Sequence, residues 1–174
     1  MHLILIGLRG TGKSTAGRAT ADLLARPFVD LDDKTAEIVG CDAATCFAEH
    51  GEAAWRAAEV QALRAALDFE HPSIVALGGG TPIAPGAEAC LRLAQAEGIA
   101  RIAWLDAPPE VLLERIAGDP GRPALTALPP LEEMQEIDRQ RRPIFQRIAD
   151  RRLDATSNEQ HGTIGGLIAL ATTG

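Results

Sequence analysis

The chain has 174 residues, of which 46% are hydrophobic, and it carries a formal net charge of −7. This length supports one domain with a buried core, and we expect residues 1–174 to form a single domain. The negative charge disfavours a nucleic-acid partner, because the phosphate backbone would be repelled. The apolar runs are too short to cross a membrane, and the first of them lacks the basic flank of a signal peptide, so we expect no membrane partner and a cytoplasmic location.

A phosphate-binding loop is predicted at residues 7–15, which read GLRGTGKST and follow the apolar run of residues 3–6. A buried strand, a glycine-rich turn and a helix from Lys13 form the setting of this motif, although a plain glycine-rich turn is the alternative. Glycines let backbone N–H groups approach phosphate oxygens, and a helix N-terminus attracts anions. We predict that a nucleoside triphosphate binds through Gly7, Gly10, Thr11, Gly12, Lys13, Ser14 and Thr15.

Apolar strand-like runs alternate with helical stretches along the chain, a pattern typical of a mostly parallel α/β sheet. The predicted strands lie at residues 3–6, 28–31, 74–77, 102–105 and 152–154. The predicted helices begin after Lys13 and continue at 33–39, 53–69, 86–97, 109–116, 131–148 and 163–171. Ligands of open α/β sheets bind beyond the carboxyl ends of the strands, so we expect the site there.

Two carboxylates follow the second predicted strand, in the sequence FVDLDD of residues 28–33. In an extended segment Asp30 and Asp32 would point to the same face, towards the phosphate loop. Asp30 is then suited to hold Mg²⁺ through water together with the Ser14 hydroxyl, and Asp32 to accept a hydrogen bond from a substrate hydroxyl and act as its base. The structural alternative is that Asp33 or Asp32 caps the next helix.

Two further features indicate a second substrate. Gly78, Gly79 and Gly80 follow the third predicted strand, where they permit direct backbone contact with a ligand or form a tight turn. Arg56 and Glu59 are three residues apart on a predicted helix, so Glu59 can orient the guanidinium group for a bidentate contact with a carboxylate. On its own, such a pair would be an ordinary surface ion pair that contributes little to stability.

These motifs carry a family resemblance. The phosphate loop, FVDLDD, the segment CFAEHGEAAWRAAE at residues 46–59, the glycine triplet and RPAL at residues 122–125 occur in the order and spacing of shikimate kinases. The chain resembles that family over most of residues 1–154. The resemblance implies a five-stranded parallel sheet with helices on both faces, the phosphate-loop kinase fold related to nucleoside-monophosphate kinases. It also implies ATP-dependent phosphorylation of the 3-hydroxyl of shikimate, in the chorismate route to aromatic amino acids.

The resemblance further implies roles for individual residues. Asp32 would bind the shikimate hydroxyls, Arg56 and Arg141 would hold its carboxylate, and residues 78–80 would line its pocket. A substrate-binding insertion would span residues 31–62, and a lid over residues 116–130 would bring Arg122 onto the phosphates. A plain surface loop is the alternative for residues 118–130. Arg141 is identified by the pattern RRPIF at residues 141–145.

Phosphoryl transfer needs in-line positioning and positive charge on the transferring oxygens rather than a covalent intermediate. Lys13 and Mg²⁺ would supply that charge, the resemblance implies that Arg122 adds to it, and Asp32 would orient the acceptor hydroxyl. Lys13, Asp32 and Arg122 are the predicted catalytic residues, with Mg²⁺ as cofactor and ATP and shikimate as the partners of a monomer. A kinase of another small hydroxy acid such as gluconate is one rival function. An inactive nucleotide-sensing relative is the other, but it would be expected to lose one of these three residues.

Overall fold

A computed structural model of the protein describes residues 1–117, 128–157 and 159–173. Its five strands are, in chain order, β1 (His2–Ile6), β2 (Phe28–Asp30), β3 (Ile74–Ala76), β4 (Ala100–Asp106) and β5 (Arg151–Asp154). They form one sheet in the order β2-β3-β1-β4-β5, and each neighbouring pair is parallel. All five carboxyl ends therefore lie at one edge of the sheet.

Helices cover the sheet on both faces, which confirms the predicted α/β architecture. They are α1 (Lys13–Leu24), α2 (Leu31–Val39), α3 (Ala43–His50), α4 (Glu52–Leu67), α5 (Ala87–Ala96), α6 (Pro109–Ile116), α7 (Pro130–Ile148) and α8 (His161–Thr172), with a short 3-10 helix at Thr81–Ile83. Within the described ranges, no helix combines the length and the apolar character that a membrane crossing requires.

Strand β1 lies at the centre of the core. Leu3 is paired with Ile74 of β3 on one side and with Arg101 of β4 on the other, and every residue of β1 is buried. A strand covered on both faces has no solvent-facing side, which explains why its residues 3–6 form an uninterrupted apolar run rather than an alternating one. This strand delivers the phosphate loop to the middle of the carboxyl edge.

The predicted elements all form, with three differences at the site. Helix α3 and the 3-10 helix at Thr81–Ile83 were not predicted. Strand β2 ends at Asp30, and α2 begins at Leu31, two residues before the predicted helix. Asp32 therefore lies in the first turn of a helix, and the expectation that Asp30 and Asp32 share one face of an extended strand is wrong.

The cause of the early helix is an N-cap. The side chain of Asp30 accepts a hydrogen bond of 3.2 Å from the backbone N–H of Asp32, so the cap is Asp30, and the alternative in which Asp33 or Asp32 caps the helix is wrong. A capping carboxylate satisfies an N–H group that has no partner within the helix. Once Asp30 ends the strand in this way, helical geometry rather than strand alternation sets the direction of Asp32.

Candidate active site

The phosphate loop joins β1 to α1 and wraps around the amino group of Lys13. Lys13 Nζ donates hydrogen bonds to the backbone carbonyls of Gly7, at 3.0 Å, and Leu8, at 2.9 Å. Gly12 has a φ of 83°, in the left-handed region that glycine tolerates, and directly precedes the helix. The N-terminus of α1 and the lysine charge therefore face the same space, which suits an anion.

That space is a cavity of about 470 Å³. Six of the predicted nucleotide-binding residues line it, namely Gly10, Thr11, Gly12, Lys13, Ser14 and Thr15. Gly7 contributes through its carbonyl, which holds Lys13. The predicted Arg122 lies outside the described residues.

Ser14 and Asp30 are brought together at the floor of this cavity. Ser14 Oγ donates a hydrogen bond of 2.7 Å to Asp30 Oδ2, and both residues line the cavity wall. A hydroxyl and a carboxylate are hard oxygen donors of the kind that Mg²⁺ takes beside substrate phosphates. Among the described residues there is no group of three His, Cys, Asp or Glu side chains arranged for a metal. A Mg²⁺ ion here would therefore be shared with phosphate oxygens.

A second cavity, of about 290 Å³, adjoins the first. Its apolar wall comes from helices α3, α4 and α7, through Phe47, Trp55, Met134 and Ile137. The rings of Phe47 and Trp55 meet edge to face with centroids 6.2 Å apart. All the residues predicted to bind the acceptor line this cavity, namely Asp32, Arg56, Gly78, Gly79, Gly80 and Arg141. Its combination of apolar wall and guanidinium groups fits a small carbon ring that bears a carboxylate.

Arg56 is held by two carboxylates of its own helix. Arg56 Nη1 donates to Glu59 Oε2 at 2.7 Å, the predicted pair, and its Nε and Nη2 donate to Glu52 Oε1 at 3.0 and 2.7 Å. Glu59 is only 1% exposed and also accepts a 2.7 Å hydrogen bond from Thr81 Oγ1. The network fixes the guanidinium plane, and it links α4 to the 3-10 helix that follows the glycine triplet.

Burial sets the protonation behaviour of this pair. Desolvation raises the pKa of Glu59, and its contacts with Arg56 and Thr81 offset only part of that rise. Desolvation would by itself lower the pKa of Arg56, but the charge and hydrogen bonds of Glu59 and Glu52 raise it above its ordinary value. Arg56 is therefore a permanent cation at the cavity wall.

The glycine triplet is explained by close contacts. A β-carbon at residue 78 would overlap Asp32 Oδ1, one at residue 80 would overlap the Arg56 guanidinium, and one at residue 79 would lie 3.1 Å from Arg141 Nη1. The absence of side chains at all three positions is thus what allows the carboxylate and the two guanidinium groups to converge.

Helix α7 is fixed to the sheet beside Arg141. The neighbouring Arg142 donates to both carboxylate oxygens of Asp106, at 3.1 and 3.0 Å, and to Asp138 at 2.8 Å. Asp106 ends β4 and is 7% exposed. A bidentate pair to a buried carboxylate restricts rotation of the helix, so it also holds the position of Arg141.

The two cavities meet at four residues that line both, namely Arg9, Asp32, Gly78 and Gly79. A group leaving the first cavity would therefore enter the second past the Asp32 carboxylate. This shared boundary gives the site the form required for transfer between two bound molecules.

Several lining residues were not assigned by sequence reasoning. Arg115 donates to the carbonyls of Ala155 and Thr156, both at 2.8 Å, and thereby holds the segment after β5 against the first cavity. Gln160, Ser157 and Thr163 also line that cavity. The signal that could have found them is the position of this segment, just after the carboxyl end of a strand. Its residue types are not distinctive.

Comparisons with known proteins show the family of the chain. The family model described as shikimate kinase matches residues 9–169. The chain belongs to the shikimate kinase family. A shikimate kinase of Rhodopirellula baltica is 38% identical over 162 residues, which cover 89% of this chain and 82% of that protein.

Two solved structures, one of a shikimate kinase and one of a gluconokinase, can be compared with this fold. Shikimate kinase from Acinetobacter baumannii in complex with shikimate superposes with a TM-score of 0.80 at 26% identity, covering 98% of this chain and 88% of the other. A gluconokinase from Sinorhizobium meliloti gives a TM-score of 0.52 at 18% identity, covering 98% and 88%. At 18% identity, the similarity to the gluconokinase shows a shared fold and nothing more. The comparisons therefore favour the shikimate kinase assignment over the gluconate alternative.

Proposed function

We propose that the protein transfers the γ-phosphoryl group of ATP to the 3-hydroxyl of shikimate, a step in aromatic amino-acid biosynthesis. The observation that carries this proposal is the shared boundary of the two cavities. One cavity presents a phosphate loop, the other presents Arg56 and Arg141 on an apolar wall, and Asp32 lies where they join. Membership of the shikimate kinase family supports the choice of substrates.

The nucleotide occupies the first cavity in this proposal. The triphosphate is bound by the backbone N–H groups of the loop and by Lys13, which exchanges its bonds with Gly7 and Leu8 for bonds with phosphate oxygens. Ser14 and Asp30 would hold Mg²⁺, which would neutralise negative charge on the triphosphate when bound. Arg122 adds positive charge from a lid over residues 116–130, a role that rests on the family resemblance.

Shikimate occupies the second cavity, and a substrate-binding insertion over residues 31–62 contributes part of its wall. Its carboxylate is bound by Arg56 and Arg141, because fixed guanidinium groups make strong charge-assisted contacts with carboxylates. Its ring packs against Phe47 and Trp55. Its hydroxyls face Asp32, which orients the attacking oxygen and accepts its proton as the oxygen–phosphorus bond forms. Water is displaced from both cavities, which suppresses hydrolysis of ATP.

A coupled assay of ADP release tests the proposal with shikimate, quinate and gluconate as acceptors. We expect shikimate to be preferred and phosphorus NMR to place the new phosphate on its 3-hydroxyl. The variant Arg56→Ala should raise the shikimate KM about 10- to 100-fold, because loss of a charge-assisted hydrogen bond weakens binding by about that factor. The ATP KM should be nearly unchanged. The exposed Arg92→Ala on α5 is the matched control. Preference for gluconate, or no transfer to any acceptor, would overturn the proposal.

A further inference from the structure

Arg9 lies at the boundary between the two cavities. It is the third residue of the phosphate loop, a position that the loop motif leaves open, and it lines both the nucleotide cavity and the acceptor cavity. Its backbone nitrogen lies 3.6 Å from the place of a β-carbon on Gly79, so the loop and the glycine triplet are in close contact there. Arg9 therefore adds a cationic residue at the point where Asp32 adds an anionic one.

Within the part of the chain that the structure describes, the charge of Arg9 is not paired with another protein group. Across residues 1–117, 128–157 and 159–173, its side chain makes neither a hydrogen bond nor an ion pair. Arg56, by contrast, is bound by Glu52 and Glu59, and Arg115 by backbone carbonyls. Arg9 is also partly buried rather than extended into solvent. A partly buried cation without an internal partner is suited to an anionic ligand.

We propose that Arg9 contacts the phosphoryl group as it passes from ATP to the acceptor and then remains bound to the phosphate of the product. This inference rests on the proposed function. In the step, the acceptor hydroxyl oxygen forms a bond to the γ-phosphorus, and the bond from that phosphorus to the β,γ-bridging oxygen breaks. The hydroxyl proton passes to Asp32, and ADP leaves with the bridging oxygen. Arg9 exchanges no atoms and supplies charge to the equatorial oxygens.

The distribution of charge explains why such a residue is useful here. Lys13 lies on the nucleotide side of the boundary, and Arg56 and Arg141 lie on the side of the acceptor carboxylate. The phosphoryl group moves from the first region towards the second, so a cation at their boundary would interact with it throughout the transfer. A guanidinium group can contact two of its oxygens at once, which a lysine cannot do in the same geometry.

The test uses the full chain with Arg9→Met, which keeps the length and apolar stem and removes the charge. We expect kcat to fall about 10- to 100-fold, because losing one charged hydrogen bond in the transition state slows the reaction by about that factor. Affinity for shikimate 3-phosphate, measured by calorimetry, should fall by a similar factor, whereas affinity for shikimate should change less than about twofold. Arg9→Lys should recover part of both losses, and the exposed Arg92→Met is the control for loss of one positive charge.

The outcomes separate this inference from the proposed function. A wild-type protein without activity on shikimate would contradict the proposed function. An active wild type together with an Arg9→Met variant of unchanged kcat and unchanged affinity for shikimate 3-phosphate would overturn the role of Arg9 alone. Equal weakening of shikimate and shikimate 3-phosphate would also overturn it, because a structural change of the cavity affects both. If Arg9→Met does not fold, Arg9→Gln is measured against the same criteria.

Discussion

Gly80 lies against the guanidinium group of Arg56 so closely that a β-carbon on Gly80 would overlap its Nη1 and Cζ atoms. Gly80 has φ −96° and ψ −13°, a conformation that alanine adopts without strain. Gly80→Ala should therefore act almost entirely by displacing Arg56. We expect the shikimate KM to rise about tenfold or more with little change in the ATP KM, as steady-state kinetics would report.

Gly165→Ala supplies the matched control for that substitution. Gly165 lies within α8, and a β-carbon there would meet nothing within 4 Å. Alanine in an exposed helical position stabilises a protein by about 0.5–1 kcal/mol relative to glycine, so this variant should melt at a slightly higher temperature with unchanged kinetics. An unaltered shikimate KM in Gly80→Ala would show that Arg56 does not hold the acceptor.

The fold and most of the site were predictable because their signals are local. The apolar run of β1 followed by the glycines and Lys13 identifies a buried strand, a phosphate loop and a helix within a few residues. The Arg56–Glu59 pair follows from helical spacing alone. The five-stranded parallel sheet was implied by the family resemblance, whereas the order of its strands was not predicted, because no local pattern of residues encodes it.

The parts that were missed depend on competing or long-range contacts. Asp32 was placed on a strand because FVDLDD alternates, but the cap formed by Asp30 starts the helix two residues earlier. Glu59 was assigned to Arg56, whereas its second contact, with Thr81, joins residues 22 positions apart and has no local signal. Arg115 reaches the segment after β5 across about 40 positions, for the same reason.

Asp32→Asn tests the assignment of the acceptor base. The amide keeps the size of the side chain but cannot accept the hydroxyl proton, so we expect kcat to fall about 100-fold or more. Affinity for ATP should persist, because the nucleotide is bound chiefly by the phosphate loop. The exposed Asp22→Asn on α1 is the control for loss of one negative charge. Full activity of the Asp32→Asn protein in stopped-flow and steady-state assays would remove Asp32 from this role.

Asp30→Ser separates two functions of one side chain. Serine is a good N-cap, so the start of α2 and the melting temperature should be nearly preserved. The carboxylate partner of Ser14 is lost, and the Mg²⁺ concentration for half-maximal activity should rise about tenfold. A titration of activity against Mg²⁺ measures this directly. An unchanged Mg²⁺ requirement with normal stability would place the metal away from Asp30.

Glu59→Gln gives a stability test with a defined dependence on pH. Because burial raises the pKa of Glu59 in the folded protein, its carboxyl binds a proton more tightly there than in the unfolded chain. The contribution of Glu59 to the free energy of unfolding is therefore greatest at pH values below its ordinary pKa of 4.5. That contribution falls as the pH rises through the raised pKa of the folded protein.

The measurement is urea unfolding of wild type and Glu59→Gln at a series of pH values between about 4 and 7. The free energy of unfolding of wild type minus that of the variant should decrease as pH rises. A difference that increases with pH would show that the attraction of Arg56 outweighs burial and that the pKa of Glu59 is lowered instead.

The central claim is that the phosphate loop and the Arg56–Arg141 cavity hold their ligands on either side of Asp32. A crystal structure of the protein with shikimate and an unreactive ATP analogue measures this directly. We expect the shikimate carboxylate on Arg56 and Arg141, and its 3-hydroxyl beside Asp32 at about 3–3.5 Å from the γ-phosphorus, the distance of a near-attack arrangement. A carboxylate bound elsewhere, or a 3-hydroxyl directed away from the γ-phosphorus, would contradict the account.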